Sequence, residues 1–400
     1  MNRKQLLILL VLVAVLGGAG WVLFQKQSAA WRAPETAGQK LLPNFPVNDV
    51  VRLRVQHGTN ELNLVKRDDL WRVRERADYP ANFNEVSEFL IKVRDLKVVQ
   101  TEQIGDSQLG RVELLPPGPG TNTATLVEFL DKEGKALAGL LLGKKQMRAA
   151  PNRSEMDPMG DTGFPVGRFV RPVGMQGSVA VISDALANVE PKPEQWLNKD
   201  FFKVEKIKSV TVTFAEATNS WTLTRETESG EWHLANATAD EQLDNAKASS
   251  ATSGLGWPSF NDVRSKDTDA ASVGLDAPTT ARVQTFDDFT YTLKIGRKTD
   301  DNQHMTLSVS ADLPKERTPG ADEKDEDKER LDKEFKERLT KLSEKLANEK
   351  KLEGWVYQVS GWTFDSLLKP RAELLAEKKA DSEAEEGKDN DDADAADDAK

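Results

Sequence analysis

The clearest indication of the fold comes from three segments near the start of the chain: Val51-Arg-Leu-Arg-Val55, Leu62-Asn-Leu-Val-Lys66 and Leu70-Trp-Arg-Val73. Apolar residues at alternating positions are typical of β-strands that bury one face, and the short gaps between these segments favour antiparallel neighbours. The pattern therefore predicts three consecutive strands, with Trp71 in the third.

The same order of segments recurs in the second half of the chain, as Val210-Thr-Val212, Trp221-Thr-Leu-Thr-Arg225 and Glu231-Trp-His-Leu234. Trp232 takes the place of Trp71 in this second set. Further along, Leu141-Leu-Gly-Lys-Lys145 in the first half resembles Lys294-Ile-Gly-Arg-Lys298 in the second. Self-similarity of this kind indicates a duplicated structural unit. The sequence predicts two tandem repeats rich in antiparallel β-sheet, and large aromatic residues within such strands favour core packing for both tryptophans.

Helical periodicity follows the three strands in each half. Asn82 precedes the first predicted helix and Glu85 stands three residues later, as in a capping box. The apolar face of this helix consists of Val86, Phe89, Leu90, Val93 and Leu96. The matching segment, Asp240 to Ser250, predicts a weaker helix with only Leu243 and Ala246 on that face. Antiparallel strands with separate helices predict the α+β fold class.

A long insertion is predicted at the same point in both halves, after two further strands. The first runs from Gln146 to Val166 and the second from Thr299 to Glu353. A strand is predicted to follow each insertion, Phe169-Val-Arg-Pro-Val173 in the first half and Trp355-Val-Tyr-Gln-Val359 in the second. The two insertions are therefore expected to decorate equivalent positions of the repeats.

Each half is then predicted to close with a helix-like segment, Ser183 to Trp196 and Phe364 to Leu375. The expected organisation is a membrane anchor with its cytoplasmic stub at 1–25, a tether at 26–46, repeat 1 at 47–202, repeat 2 at 204–375 with a charged helical insertion at about 315–352, and a disordered acidic tail at 376–400. The tail is low in apolar residues, so its ordering entropy would be poorly offset.

The second insertion contains a highly charged predicted helix at about 322–350. Its apolar residues form one seam at helical spacing: Leu331, Phe335, Leu339, Leu342 and Leu346. The charged flanks keep such a helix in solution, while the leucines require a cover. These five residues are a candidate surface for a protein partner. The alternative is that the helix packs on its own domain or in an intramolecular hairpin.

The N-terminus predicts the compartment. Arg3 and Lys4 precede an almost wholly apolar run from Leu6 to Phe24, long enough at about 1.5 Å per residue to cross a bilayer core of about 30 Å. Ser28-Ala-Ala30 leaves cleavage of the segment as an alternative. The positive residues hold the terminus inside. Residues 5–25 are thus expected to contact the lipid of a bacterial inner membrane in a single pass, with the body in the periplasm.

The charge and the cysteine content of the chain limit the kinds of partner and chemistry that we expect. The 400 residues carry a net charge of −11, and the segment from Glu377 to Lys400 accounts for −7 of it, from eleven acids and four lysines. The remaining chain is nearly neutral, so nucleic acid is not an expected partner. The chain contains no cysteine, which excludes disulfides and thiolate chemistry.

Motifs for catalysis are weak. No pair among His57, His233 and His304 has metal-ligand spacing, and no serine lies in a nucleophile elbow. The glycine-rich run from Gly139 to Lys145 departs from the phosphate-binding spacing and lacks the Ser or Thr after its lysine. Carboxylates of the first insertion, at Glu155, Asp157 and Asp161, are more typical of a solvated loop than of an acid–base pair. We therefore predict no enzyme activity, cofactor or metal.

Several motifs resemble the bacterial family of domains of unknown function DUF4340: Leu42-Pro-Asn-Phe-Pro46, Gly143-Lys-Lys145, Gly167-Arg-Phe-Val-Arg171, Val179-Ala-Val-Ile-Ser183 and Gln195-Trp-Leu-Asn-Lys-Asp-Phe-Phe202. The resemblance covers roughly residues 42–202, and 204–375 more loosely. Members of the family are commonly encoded beside ABC-2-type permeases and gliding-motility-type extracytoplasmic auxiliary proteins. The charged insertion and the acidic tail depart from the family pattern.

The resemblance implies a non-enzymatic accessory or scaffold subunit of an ABC-2-type envelope transporter, with the permease or its extracytoplasmic auxiliary protein as partner. It carries over no catalytic residue. The alternative is a periplasmic cell-wall or polysaccharide-binding module or enzyme, which would require a cleft with converging polar groups.

Overall fold

The computed structural model describes residues 37–148, 164–320 and 323–377, which form a mixed fold of two antiparallel β-sheets and three α-helices. The described residues divide into two compact units. Unit 1 consists of residues up to 200 together with 261–266, and unit 2 consists of residues 201–260 and those from 267 onward.

The first sheet has nine strands in the order β4-β3-β2-β1-β6-β7-β8-β9-β5. The strands are β1 Arg52–His57, β2 Asn60–Arg67, β3 Leu70–Val73, β4 Tyr79–Pro80, β5 Val98–Glu102, β6 Thr125–Leu130, β7 Ala136–Arg148, β8 Phe164–Pro172 and β9 Val179–Ile182. Alternate residues of the central strands are buried, because one face packs under a helix while the other remains partly solvated.

The second sheet has eight strands in the order β12-β11-β10-β14-β15-β16-β17-β13. The strands are β10 Ile207–Thr213, β11 Trp221–Thr224, β12 His233–Leu234, β13 Asp262–Ser265, β14 Thr279–Thr285, β15 Phe289–Ile295, β16 Asn302–Ala311 and β17 Trp355–Ser360. Read from β3 and from β12, the two sheets follow the same order of connections.

The register of the strands puts the paired tryptophans in equivalent positions. Leu64 lies opposite Val73 in the first sheet, and Leu223 lies opposite Leu234 in the second. Trp71 and Trp232 each precede these residues by two positions, and they are only 4% and 5% exposed. The prediction that both rings pack in a core is confirmed, since their indoles are removed from solvent.

Helix α1 spans Phe83–Asp95 and begins where the sequence predicts it. The side-chain oxygen of Asn82 accepts hydrogen bonds from the backbone N–H groups of Asn84 and Glu85, at 3.1 and 3.4 Å. These bonds satisfy two donors that the first helical turn leaves without partners. The buried face consists of Val86, Phe89, Leu90 and Val93.

Helix α2 spans Asn245–Ser253 and begins later than the predicted segment at Asp240 to Ser250. The side chain of Asp244 caps it by accepting from the N–H groups of Ala246 and Lys247, at 2.9 and 3.2 Å. Leu243 therefore precedes the helix, where it bridges to Leu375. The helix buries Ala248, Ala251 and Thr252.

Helix α3 spans Asp325–Lys350 and is the charged helix expected in the second insertion. The prediction that both insertions lie at the same point is wrong. In unit 2, β16 follows β15 directly, with Met305 opposite Ile295, and the long insertion comes only after β16. In unit 1 the long connection lies one strand earlier, between β7 and β8.

The strand equivalence drawn across the insertions is wrong for the same reason. The counterpart of β8, which contains Phe169, is β16, and the counterpart of β17 is β9. Alternating apolar residues at Met305, Leu307 and Val309 carry the strand signal. The polar run at Asp300-Asp-Asn302 before them resembles the start of a loop, which hid this signal.

The predicted closing helices are also wrong. Within 183–196 the structure has only a short 3₁₀ turn at Pro193–Gln195, and within 364–375 only one at Arg371–Leu374. Proline lacks a backbone N–H and disfavours helical conformation in the residue before it. Pro191, Pro193 and Pro370 therefore leave these segments as irregular chain.

Within residues 37–148, 164–320 and 323–377, no helix combines the length and apolar character needed to cross a bilayer. The predicted anchor at 1–25 lies outside the described residues, as do residues 378–400 of the predicted tail.

Candidate functional site

The most prominent addition to the shared strand order is α3, which lies between β16 and β17. Its 26 residues span about 39 Å at 1.5 Å per residue. In unit 1 the equivalent connection, between β8 and β9, is only the short segment 173–178. This helix is therefore a feature of unit 2 that the common framework does not require.

The five residues of the predicted partner-binding seam lie on one side of α3, and each of them is partly buried within the chain: Leu331, Phe335, Leu339, Leu342 and Leu346. Lysines and glutamates such as Lys333, Glu337 and Lys341 are exposed. The seam side therefore faces unit 2, and the charged side faces solvent. This arrangement favours the alternative that the helix packs on its own domain.

A buried carboxylate anchors the C-terminal end of α3 to the sheet. Glu349 is 7% exposed, and its Oε2 accepts a hydrogen bond from the Tyr291 hydroxyl of β15 at 2.7 Å. Its Oε1 accepts from the backbone N–H of Lys203 at 3.2 Å. Lys345, one turn earlier, donates from Nζ to the carbonyl of Lys203 at 2.9 Å. The last turns of the helix are thus held by polar bonds as well as by packing.

Burial changes the pKa values of Glu349 and Tyr291. Loss of solvation raises the pKa of Glu349 above its usual 4.5, although the hydrogen bond from Tyr291 opposes that rise. Burial and the adjacent Glu349 carboxylate also raise the pKa of Tyr291 far above its usual range. Tyr291 therefore remains a hydroxyl donor throughout the accessible pH range.

The raised pKa of Glu349 predicts that the stability of the protein depends on pH. Because the folded-state pKa of Glu349 is raised, its contribution to stability is full below pH 4.5 and declines as the pH rises through the folded value. Each unit of difference in pKa corresponds to about 1.4 kcal/mol. Thermal melting between pH 4 and pH 8 should show that the Glu349→Gln variant loses less stability with rising pH than the parent chain. Parallel curves for the two proteins would contradict this prediction.

Ion pairs hold the N-terminal half of α3. Arg317, in the segment before the helix, donates from Nε to Asp332 at 2.7 Å and from its terminal nitrogens to both carboxylate oxygens of Glu323. Arg338 pairs with Asp287 of the turn between β14 and β15. The helix is therefore attached at both ends to residues of its own unit.

A pocket of about 210 Å³ lies in unit 1, between α1 and the loop that follows β9. Glu85, Glu88 and Asp184 line it together with Lys92, whose Nζ lies 2.8 Å from Glu88. The apolar wall includes Phe89, whose ring centroid lies 6.0 Å from that of Trp196. This combination suits a small ligand with a cationic group. The sequence placed Phe89 and Trp196 on separate elements, and nothing in it joined them to Asp184.

Buried Arg168 holds the wall of that pocket. Its Nε donates to the carbonyl of Gly143 at 2.8 Å, and Nη1 donates to the carbonyls of Ala185 and Leu186 at 3.4 and 3.1 Å. Burial lowers the pKa of this guanidinium to about 10, so it remains charged at neutral pH. The sequence motif at Gly167-Arg-Phe-Val-Arg171 did not reveal this role.

The residues considered for metal or acid–base chemistry do not converge. His57 contacts Thr125 at 3.3 Å, His233 lies in β12 and His304 lies in β16. Glu155, Asp157 and Asp161 lie outside the described residues. Across the parts of the chain that the structure describes, no group of three or more histidine or acidic side chains could hold a metal ion.

Comparison with known proteins finds one family. Residues 159–278 match the family model described as domain of unknown function (DUF4340). The matched residues begin five residues before β8 of the first sheet and end at the residue before β14. No curated protein and no solved structure matches the chain.

Proposed function

Residues 159–278 make this chain a member of the DUF4340 family, and from that premise we propose that it is a membrane-tethered scaffold of the bacterial envelope. In this proposal residues 5–25 anchor the chain in the inner membrane and the two units lie in the periplasm. The protein acts as a non-enzymatic accessory subunit of an ABC-2-type transporter. Its partner is the permease or an extracytoplasmic auxiliary protein.

The observation that carries the proposal is the addition of α3 to a strand order that the chain uses twice. Segment 312–354 in unit 2 stands where unit 1 has only 173–178. Insertions on a common framework are frequent carriers of binding function, because they change a surface without changing the core. Lys345 and Glu349 fix the helix in place, so a partner would meet a preformed surface.

The contact surface in this proposal is the solvent side of α3 with the exposed margin of the seam. Lys333, Glu337 and Lys341 offer charges of both signs there. Such charges steer association and select a complementary partner more than they raise affinity. The partly buried Leu339 and Leu342 would add apolar contact at the edge.

Site-specific photocrosslinking in native membranes tests this function. A photoreactive residue at Lys333 or Lys341 should give a discrete crosslinked product that contains a transporter subunit. The same residue at exposed Ser229, in the turn between β11 and β12, is the control and should give none. Equal products from all three positions, or products without any membrane protein, would contradict the proposal.

The alternative function, a cell-wall or polysaccharide-binding module or enzyme, rests on the pocket beside α1. Its carboxylates and aromatic wall are groups that also bind sugars. Co-sedimentation with purified cell-wall sacculi that is lost in the Glu85→Gln variant would favour this alternative over a scaffold.

A further inference from the structure

Two tryptophans of unit 2 are unusually exposed. Trp257 is 81% exposed and Trp362 is 72% exposed. Among the described residues, the large apolar side chain with the next highest exposed fraction is Phe83, at 58%. Tryptophan carries a large apolar ring with one polar N–H, so it is favoured at surfaces that are dry on one side and wet on the other.

The fold brings these two residues to one junction. Gly254 lies three residues before Trp257, and a Cβ atom on Gly254 would lie 3.2 Å from the carbonyl oxygen of Thr363. Trp362 directly precedes Thr363 in the chain. The two tryptophans therefore lie on chain segments that approach each other at Gly254 and Thr363, and we call them the aromatic pair.

The charges around the aromatic pair are nearly balanced. The Lys203 ammonium lies 3.7 Å from the centroid of the Trp257 ring and 2.8 Å from Glu205. Beside Trp362, Lys298 lies 3.3 Å from Asp365. Tryptophan with lysine is the combination that lies at the headgroup level of bilayers, where the rings enter the boundary and the ammonium groups remain in water.

We propose that the aromatic pair seats unit 2 on the headgroup region of a lipid bilayer. This inference rests on the membrane tether of the proposed function. In that proposal the chain from Phe24 to residue 37, the first described residue, reaches at most about 45 Å at full extension, so the tether would hold the chain close to a bilayer. The balanced charges point to insertion of the rings, not to electrostatic adsorption.

The test uses the complete chain reconstituted in vesicles of zwitterionic lipid. Because the chain has no cysteine, a Ser259→Cys variant can carry a single polarity-sensitive fluorophore two residues from Trp257. Spin-labelled lipid should quench this fluorophore roughly twofold, as expected for a group within about 10 Å of the acyl boundary. A fluorophore attached through Ser229→Cys is the matched control and should remain unquenched.

A second variant separates ring insertion from mere proximity. Replacement of both Trp257 and Trp362 by serine in the labelled Ser259→Cys chain should abolish the quenching. The melting temperature should change little, because both rings are exposed and Trp257 loses only its surface contact with Lys203. Quenching that survives this double replacement, that disappears in high salt, or that requires added membrane proteins would overturn the proposal.

Vesicle flotation distinguishes a failure of the membrane tether from a failure of the lipid contact. If the labelled Ser259→Cys chain floats with vesicles but its fluorophore is not quenched, the tether is intact and the proposed lipid contact of the aromatic pair is wrong. A chain that does not float refutes the tether and the lipid contact together.

Discussion

Replacing Arg168 with methionine should destabilise unit 1 by about 3 kcal/mol, because the carbonyls of Gly143, Ala185 and Leu186 lose their donor. An unsatisfied buried carbonyl costs about 1–3 kcal/mol, and relief from burying a guanidinium without a paired carboxylate offsets part of the sum. At about 2–4 °C per kcal/mol, the melting temperature of unit 1 should fall by about 6–12 °C. Calorimetry of the complete chain measures this fall.

The control for this variant is Arg171→Met on the same strand. Arg171 pairs with exposed Asp106 at 3.3 Å, and an ion pair of this type contributes at most about 1 kcal/mol. A similar fall in both variants would show that any arginine on β8 matters equally, and it would refute the specific role of the three carbonyls. An Arg168→Lys variant should recover only part of the loss, since an ammonium lacks the planar fork.

Replacing Leu339 and Leu342 of α3 together with glutamate should destabilise unit 2 by about 2–4 kcal/mol, because two partly buried apolar side chains become charged. The helix should separate from β15 and β16. Limited proteolysis should then cut within 312–354 faster than in the parent chain, and thermal melting should record the loss of stability.

The matched control replaces Lys333 and Lys341, on the solvent side of α3, with glutamate. It alters the charge of the same helix but should change stability by less than about 0.5 kcal/mol. If the leucine variant kept its melting temperature and lost only its membrane partner, the seam would be a free partner-binding surface. That outcome would contradict the own-unit packing inferred from the burial of the five seam residues.

Local signals in the sequence were sufficient for the elements that depend on short-range physics. The cap of α1 at Asn82 was correct, since capping satisfies donors within three residues. The α2 start was missed because Asp244, and not an apolar periodicity, determines it. The predicted helices at 183–196 and 364–375 are wrong, although the prolines in these segments already disfavour a helix.

The candidate sites were less predictable from sequence. Helical spacing in the sequence reveals the apolar seam of α3. The position of the helix on unit 2, however, depends on bonds of Glu349 to Tyr291 and Lys203, which lie far from it in the chain. No local pattern distinguishes a glutamate that accepts from a buried tyrosine from one in solvent. The same is true of Arg168, whose carbonyl partners belong to two separate segments.

The alternation of apolar residues was enough to predict the three strands that open each half of the chain, because alternation is a property of neighbouring positions. It was not enough to predict β16, whose polar start resembles a loop. Trp71 lies in β3, and Trp232 directly precedes β12, the strand equivalent to β3. The covered side of α3 depends on tertiary packing. The approach of the segments that carry Trp257 and Trp362, at Gly254 and Thr363, depends on it as well. Such contacts depend on how distant segments pack, and the energy of packing is not encoded in the spacing of residues along one segment.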